Sequence, residues 1–74
     1  MRKIEAGKKY RHFKGNEYIV LAVAMHTETE ESLVVYQNLE DVNKVYARPY
    51  DMFAGEVDRE KYPEVKQVYR FEEI

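Results

Sequence analysis

The densest group of side chains that could do chemistry lies in a short polar stretch in the first half of the chain. It is one histidine followed by threonines and glutamates, His26-Thr27-Glu28-Thr29-Glu30-Glu31. An imidazole with carboxylates two and four residues further on could bind a divalent cation, or could form an acid–base pair because histidine titrates near neutral pH. Neither spacing is a specific signature. The competing interpretation is a solvent-facing loop whose carboxylates only keep the protein soluble. We predict no metal site and no catalytic residue here, and we take this loop as part of the candidate ligand-binding site.

An arginine close to a tyrosine is the second pattern that could bind a ligand. Arg48 lies two residues after Tyr46 in one predicted strand, so the two side chains share a face. A guanidinium beside exposed aromatic rings can bind an anion, although the same arrangement often gives only a cation–π contact. For Arg48 the competing interpretation is an ion pair with Asp51 or a loop glutamate. The predicted ligand-binding residues are His26, Glu28, Thr29, Tyr36, Tyr46, Arg48 and Arg11.

The sequence does not favour an enzyme. Ser32 is the only serine, there is no cysteine, and the three glycines form no phosphate-binding loop. A chain of 74 residues also has little room for a water-excluding cleft. We therefore expect no cofactor. A metal-dependent or acid–base enzyme centred on His26 is kept as an alternative, and it requires His26, Glu28 and either Tyr36 or Arg48 to converge.

Composition predicts one small domain held together by aromatic packing. The chain has seven tyrosines and three phenylalanines, and its lack of cysteine excludes disulfides and thiolate metal ligands. The net charge is −2, yet the stretch up to Lys14 has six basic residues against Glu5 alone, so this end could attract phosphates. The charged N-terminus does not resemble a signal peptide, and no apolar run could span a bilayer. We expect a cytoplasmic protein with no membrane attachment.

A β-hairpin near the N-terminus is the first predicted element, and the later strands are expected to pack around it. Gly15-Asn16 separates two extended segments, and both residue types accept the positive φ that a two-residue turn requires. That turn would pair Lys14 with Glu17 and Phe13 with Tyr18. Strict alternation along the next strand gives two apolar faces, one with Ile19, Leu21, Val23 and Met25 and the other with Tyr18, Val20, Ala22 and Ala24.

Five short strands and one helical turn are predicted in total. The strands are expected near residues 8–13, 17–26, 33–37, 44–48 and 67–72, after a loose lead-in over residues 1–6. Pro49 ends the fourth strand and starts the helical turn, and residues 54–66 form a long charged loop. The chain is therefore predicted to be a single all-β domain over residues 1–74, a small SH3-like five-stranded antiparallel barrel with a short 3₁₀ or α turn before the last strand. An open sheet covered by a longer helix is the alternative.

Several short segments of the sequence resemble those of one small bacterial family. They are Tyr10-Arg11-His12-Phe13-Lys14-Gly15-Asn16, His26-Thr27-Glu28-Thr29, Leu33-Val34-Val35-Tyr36, Arg48-Pro49, Met52-Phe53 and Arg70-Phe71. From about Gly7 to Ile74 the chain resembles the domain of unknown function 1653 family. The resemblance implies a stand-alone bacterial cytoplasmic protein and supplies no catalytic residue. Two features depart from the family pattern: Tyr46 stands where a tryptophan is expected, and the charged segment 58–66 is longer than usual.

Besides the enzyme centred on His26, three functional hypotheses follow for a domain of this kind. The favoured one is a small binding module that takes a peptide, a protein or a small anionic molecule on an aromatic face beside the 26–31 loop. An SH3-like domain that binds nucleic acid is an alternative, against which stand the acidic isoelectric point of about 5.7 and the lack of a nucleic-acid-binding motif. In the third, an exposed sheet edge pairs two copies. We expect a monomer or a weak dimer.

Overall fold

Five strands form one antiparallel sheet in the computed structural model, which describes residues 2–74. The elements are β1 (Lys9–His12), β2 (Glu17–Met25), β3 (Ser32–Asn38), β4 (Val45–Pro49), α1 (Tyr50–Ala54) and β5 (Phe71–Glu73). The first four strands lie within two residues of their predicted bounds, which confirms the all-β class and rules out the longer covering helix. No helix in residues 2–74 has the length and apolar character needed to cross a membrane.

The predicted closed barrel is not formed. The strand order is β4-β3-β2-β1-β5, so β4 and β5 are the two ends of the sheet, and they do not pair with each other within residues 2–74. β5 has only three residues, and β4 ends at Pro49, which has no N–H to donate to a further strand. Phe53 of α1 instead fills the opening between the ends of the sheet and is fully buried.

The β1–β2 hairpin has a three-residue loop rather than the predicted two-residue turn. The His12 amide donates to the Asn16 carbonyl (2.8 Å), and the Gly15 amide donates to the His12 carbonyl (2.7 Å). Gly15 has φ 106°, as in hairpins where a turn is followed by one left-handed residue. The prediction that Gly15 supplies a positive φ is confirmed, whereas Asn16 does not have one.

This longer loop changes the register of the hairpin. Arg11 pairs with Glu17 and Tyr10 pairs with Tyr18, so the predicted Lys14–Glu17 and Phe13–Tyr18 pairs are wrong. Because the Cβ atoms of a strand alternate between its faces, Tyr10 points into the core and Arg11 points to the reverse face of the sheet.

A β-bulge at Leu21 changes which residues of β2 share a face. Val20 pairs with Tyr36 and Ala22 pairs with Val35, so Leu21 has no partner on β3. The extra residue places Val20 and Leu21 on the same, core-facing side. The predicted alternation is therefore wrong: Leu21, Val23 and Met25 share a side with Tyr18 and Val20, while Ile19, Ala22 and Ala24 lie on the reverse face.

The core lies between the sheet, α1 and the N-terminal segment. Phe53 and Phe71 stack with ring centroids 4.0 Å apart and planes at 9°, and Tyr10 meets Phe53 edge-on at 5.4 Å. Ile4 is also buried, and its amide donates to the Tyr50 hydroxyl (2.7 Å). The segment predicted as a loose lead-in therefore contributes to the core through Ile4, while Met1 lies outside the described residues.

The segment predicted as a long loop folds back on itself before β5. The Val57 amide donates to the Val68 carbonyl (2.9 Å), and the Arg70 amide donates to the Gly55 carbonyl (3.0 Å). Val57 is buried, and the side chain of Arg59 donates to two carbonyls across this excursion. As a result, residues 58–62 lie next to the β1–β2 loop.

Candidate functional site

Three of the predicted ligand-binding residues lie together on the core-facing side of β3 and β4. Tyr36 pairs with Tyr46, and their ring centroids are 5.6 Å apart. The Nε of Arg48 donates to the Tyr36 hydroxyl (3.2 Å), and its guanidinium carbon lies 5.3 Å from the centre of the Phe71 ring. Tyr36 is only 4% exposed whereas Tyr46 is 43% exposed. Tyr46 and Arg48 are thus the members of this group that a ligand could reach.

The loop after β2 is stabilised by hydrogen bonds within itself. The Nδ1 of His26 accepts from the amides of Glu28 (3.1 Å) and Thr29 (3.3 Å). The His26 amide also donates to the Glu31 carbonyl (2.9 Å), and Glu30 has a left-handed φ of 63°. His26 therefore shapes the turn between β2 and β3, and residues 26–31 form no helix.

This loop lies apart from the aromatic group. Ser32 pairs with Met25, and Tyr36 is four residues further along β3, which corresponds to about 13 Å at the rise of an extended strand. Arg48 also directs its Nε toward Tyr36, away from the loop. Residues 2–74 contain no cluster of three or more His, Asp or Glu residues that could hold a metal ion. The convergence that an enzyme centred on His26 requires is therefore not observed.

Arg11 lies on the opposite side of the sheet from the aromatic group. Its Nε and Nη2 both donate to Oε2 of Glu17, at 3.0 and 2.7 Å. The hairpin register produces this pair, because it places Arg11 directly across from Glu17. A paired guanidinium on the reverse face does not contribute to a site with Tyr46 and Arg48.

A recess of about 290 Å³ opens beside Arg48 at the end of the sheet where the β1–β2 loop, the 58–62 turn and Arg70 meet. Its lining is His12, Phe13, Lys14, Arg48, Asp58, Lys61, Tyr62 and Arg70. Two segments of the chain about 50 residues apart form most of this lining. The start of β5 lies beside the first segment, because Phe71 pairs with His12 and the Phe13 amide donates to the Arg70 carbonyl (2.9 Å).

Aromatic rings form one wall of the recess. The Phe13 and Tyr62 ring centroids are 4.9 Å apart, and the His12 ring lies 4.4 Å from that of Phe13. The ammonium groups of Lys14 and Lys61 lie 5.5 and 5.6 Å from the centre of the Tyr62 ring. This is cation–π range, in which both ammonium groups stay close to the mouth of the recess.

The recess carries an excess of positive charge. Four of its lining residues, Lys14, Arg48, Lys61 and Arg70, are permanently or normally cationic, and Asp58 is the only acid. The Oδ1 of Asp58 accepts from the amides of Glu60 (3.0 Å) and Lys61 (3.3 Å). Within residues 2–74, none of the four cations lies within 4.0 Å of a carboxylate oxygen. Arg70 donates one N–H to the Met52 carbonyl (2.9 Å) and Arg48 donates one to Tyr36, and neither bond neutralises the positive charge, which stays available to an anionic ligand.

Burial and the positive charge of the recess both lower the pKa of His12. Burial, followed by the positive charges of Arg48, Lys14 and Arg70, lowers the pKa of His12 below its usual value of 6.5. The Nδ1 of His12 accepts from the Lys14 amide (3.1 Å), so the hydrogen-bond pattern assigns the proton of the neutral ring to Nε2. Near neutral pH, His12 is thus an uncharged donor among cations.

A larger open groove of about 630 Å³ lies on another side of the molecule, near the start of α1. It is lined by Arg2, Lys3, Glu31, Ser32, Pro49, Tyr50 and Asp51. Two basic and two acidic side chains offset one another there, and the Arg2 guanidinium is held by the carbonyls of Ala54 and Phe71. This groove is larger, but its side-chain charges cancel and would not attract an anion. The smaller cationic recess is therefore the better candidate site.

Most of the recess residues were not predicted as ligand-binding residues. The signal that could have identified them is the repeated adjacency of an aromatic residue and a cation, found in His12-Phe13-Lys14, Lys61-Tyr62 and Arg70-Phe71. Single doublets of this kind are common in strands and loops. These three segments indicate a site only because the fold brings them together at one end of the sheet.

The strand order and the short helix before β5 define a small all-β domain with a mixed aromatic and cationic recess at one end. The chain belongs to the family described as "protein of unknown function (DUF1653)", whose sequence model matches residues 8–73. This match confirms the resemblance found in the sequence. No curated protein and no solved structure is significantly similar to the chain.

Proposed function

We propose that this protein is a small binding domain whose ligand carries a phosphate or another multiply charged anion next to a planar ring. The cationic recess is the proposed site, with Lys14, Arg48, Lys61 and Arg70 contacting the anion. Phe13 and Tyr62 provide the apolar wall for the ring. The observation that carries the proposal is the group of four cations without a carboxylate partner around one recess.

The chemistry of each wall supports this ligand class. Arginine donates in a planar fork that matches phosphate and carboxylate oxygens, and lysine adds a mobile point charge at the mouth of the recess. The Nε2–H of neutral His12 adds a further donor. A ring placed against Phe13 and Tyr62 gains offset or edge contacts in addition to buried area.

The size of the recess and the charge of the chain favour a small ligand or a single side chain of a peptide over nucleic acid. A volume of about 290 Å³ is at the lower end of small-molecule sites. A nucleic acid would need a basic stripe that follows its backbone, whereas the net charge here is −2. The order of the strands supports an SH3-like arrangement left open between β4 and β5, in which a ligand would bind at the end of the sheet.

Three probes separate the two parts of the proposed site in titrations followed by amide NMR. Phenyl phosphate carries both the anion and the ring, inorganic phosphate carries only the anion, and phenol carries only the ring. We expect phenyl phosphate to bind most tightly and to shift the amides of the β1–β2 loop and of residues 58–62 together. Salt should weaken phosphate binding most and phenol binding least.

Two lysine variants provide the matched comparison. Lys61→Gln removes one charge from the recess, whereas Lys44→Gln removes the same charge from the exposed turn between β3 and β4. We expect Lys61→Gln to weaken phenyl phosphate binding about tenfold, corresponding to one charge-assisted contact, and Lys44→Gln to leave it unchanged. Equal losses in the two variants, or shifts spread over every basic residue, would mean nonspecific ion binding and would contradict the proposal.

A further inference from the structure

We propose that the outer half of β2 is a self-association edge, at which a second copy of this chain adds antiparallel to residues 21–25. This surface is distinct from the cationic recess and does not depend on the function proposed for it. The pairing would join the two five-stranded sheets edge to edge.

The edge is unpaired because β1 is much shorter than β2. β1 pairs with β2 only as far as Ile19, and the bonds of Gly7 and Lys8 to Val20 are the last on that side. The chain that precedes Gly7 then turns toward the core, where Ile4 is buried. On its other side, β2 continues to pair with β3 as far as Met25. Within the described residues, Leu21–Met25 therefore form an edge strand with no neighbour on one side.

Apart from the bulge at Leu21, its first residue, this edge lacks the devices that usually keep edge strands apart. Its sequence is Leu21-Ala22-Val23-Ala24-Met25, without a charge or a proline, whereas natural edges are commonly protected by lysine, proline or a short strand. Leu21 and Val23 are each 44% exposed and Met25 is 66% exposed. The bulge at Leu21 places these three large side chains on one face of the strand, so they form an apolar row along the edge.

The five residues match a second copy of themselves. If a two-fold axis passes through Val23, Leu21 lies opposite Met25 of the partner subunit and Ala22 lies opposite Ala24 of the partner subunit. Large residues then meet large ones and small residues meet small ones, and no like charges face each other. A second copy of the chain already has this complementary pattern, whereas a different protein would need a matching strand of its own. We therefore take a second copy as the partner. Five residue pairs bury less than the area of a stable complex, so we expect a weak dimer.

Sedimentation equilibrium on the full chain, from about 10 µM to about 1 mM, tests the pairing in the range expected for a weak complex. We expect the average mass to rise from the monomer value of 8.9 kDa toward twice that value. Val23→Lys places two ammonium groups face to face at the axis and should weaken the dimer at least tenfold. Val42→Lys is the matched control because Val42 is 68% exposed in the turn after β3, and it should leave the dimer unchanged.

A second variant distinguishes the edge from the reverse face of the sheet. Ala47 lies on that face, in one apolar row with Ala22 and Val35, so Ala47→Lys would disrupt face-to-face packing and leave edge pairing intact. Circular dichroism would confirm that each variant is folded. A chain that stays monomeric at about 1 mM, or a dimer that Ala47→Lys disrupts and Val23→Lys does not, would overturn the proposal.

Discussion

The Nε of Arg48 donates to the buried hydroxyl of Tyr36 at 3.2 Å. This contact connects the core of the sheet to the cationic recess, because Tyr36 is 4% exposed while Arg48 lines the recess. A long side chain with many rotamers is thereby held in one orientation, and less entropy is lost when it binds an anion.

Removing that hydroxyl should affect stability and binding together. We expect Tyr36→Phe to lower the free energy of unfolding by about 0.5–1.5 kcal/mol, and to weaken phenyl phosphate binding severalfold because Arg48 becomes mobile. Urea unfolding and NMR titration measure the two effects. Tyr46→Phe is the matched control, since its ring is 43% exposed and its hydroxyl has no hydrogen-bond partner within residues 2–74. Equal behaviour of the two variants would show that the Tyr36 hydroxyl does not orient Arg48.

The lowered pKa of His12 predicts a pH dependence of stability. Because the folded-state pKa lies below the unfolded value of 6.5, the unfolded chain takes up a proton first as the pH falls. The contribution of His12 to stability is therefore complete above pH 6.5 and is lost as the pH falls through the lower folded-state value. Urea unfolding across this range should show the decline in the natural protein and a smaller decline in His12→Gln.

Ligand binding should act on the same histidine in the opposite direction. An anion in the recess offsets the charges of Arg48 and Lys14, so phosphate should raise the pKa of His12, as measured by NMR from the imidazole C–H shifts. By linkage, an anion whose own charge is constant over this pH range, such as sulfate, should bind more tightly as the pH falls and His12 becomes charged. A pKa of His12 that is unaffected by saturating phosphate would place the anion elsewhere.

Gly15 should tolerate substitution poorly although its surroundings are open. A Cβ added there would meet no atom within 4 Å, but the residue has φ +106°. We expect Gly15→Ala to lower the free energy of unfolding by about 1–2 kcal/mol through backbone strain alone. Asn16→Ala, at the neighbouring position without a positive φ, is the control and should cost less than about 0.5 kcal/mol. Urea unfolding of both variants tests this, and equal costs would contradict the role assigned to Gly15.

Phe53 should be among the most sensitive positions in the chain. It is fully buried and stacks on Phe71, so Phe53→Ala should cost about 3–5 kcal/mol. A domain of this size has a net stability of only a few kcal/mol, so we expect the variant to be largely unfolded by circular dichroism at room temperature. Met52→Ala changes the adjacent residue of α1, which is 50% exposed, and should remain folded. A folded Phe53→Ala protein would mean that α1 does not complete the core.

Local patterns in the sequence were sufficient for the elements but not for their pairing. The β-branched residues of β3, the proline at the end of β4 and the positive φ of Gly15 each depend on a few neighbouring residues, and each was predicted correctly. The hairpin register was wrong because two-residue and three-residue loops are both compatible with a glycine at that position. Only the packing of Tyr10 into the core, with Arg11 directed to the reverse face, selects between them.

The predicted site likewise divides into residues that local patterns placed correctly and residues whose position depends on the tertiary structure. Tyr36, Tyr46 and Arg48 were correctly grouped, because alternation along adjacent strands places such residues on one face. The 26–31 loop was wrongly placed beside them, since the length of the β2–β3 hairpin separates it from Tyr36 by about 13 Å. Lys61 and Tyr62 were not predicted, because nothing near them in the sequence indicates that the 58–62 turn lies against the β1–β2 loop.

The sequence by itself determined the all-β class, the approximate bounds of the first four strands, the single turn after Pro49, the family and the shared face of Tyr46 and Arg48. The tertiary structure alone decided the hairpin register, the change of faces at Leu21, the open sheet and the cationic recess. The reason is the range of the forces involved. Turn preference and alternation act between neighbouring residues, whereas register, closure and the meeting of Lys14 with Lys61 depend on packing free energy summed over residues far apart in the chain.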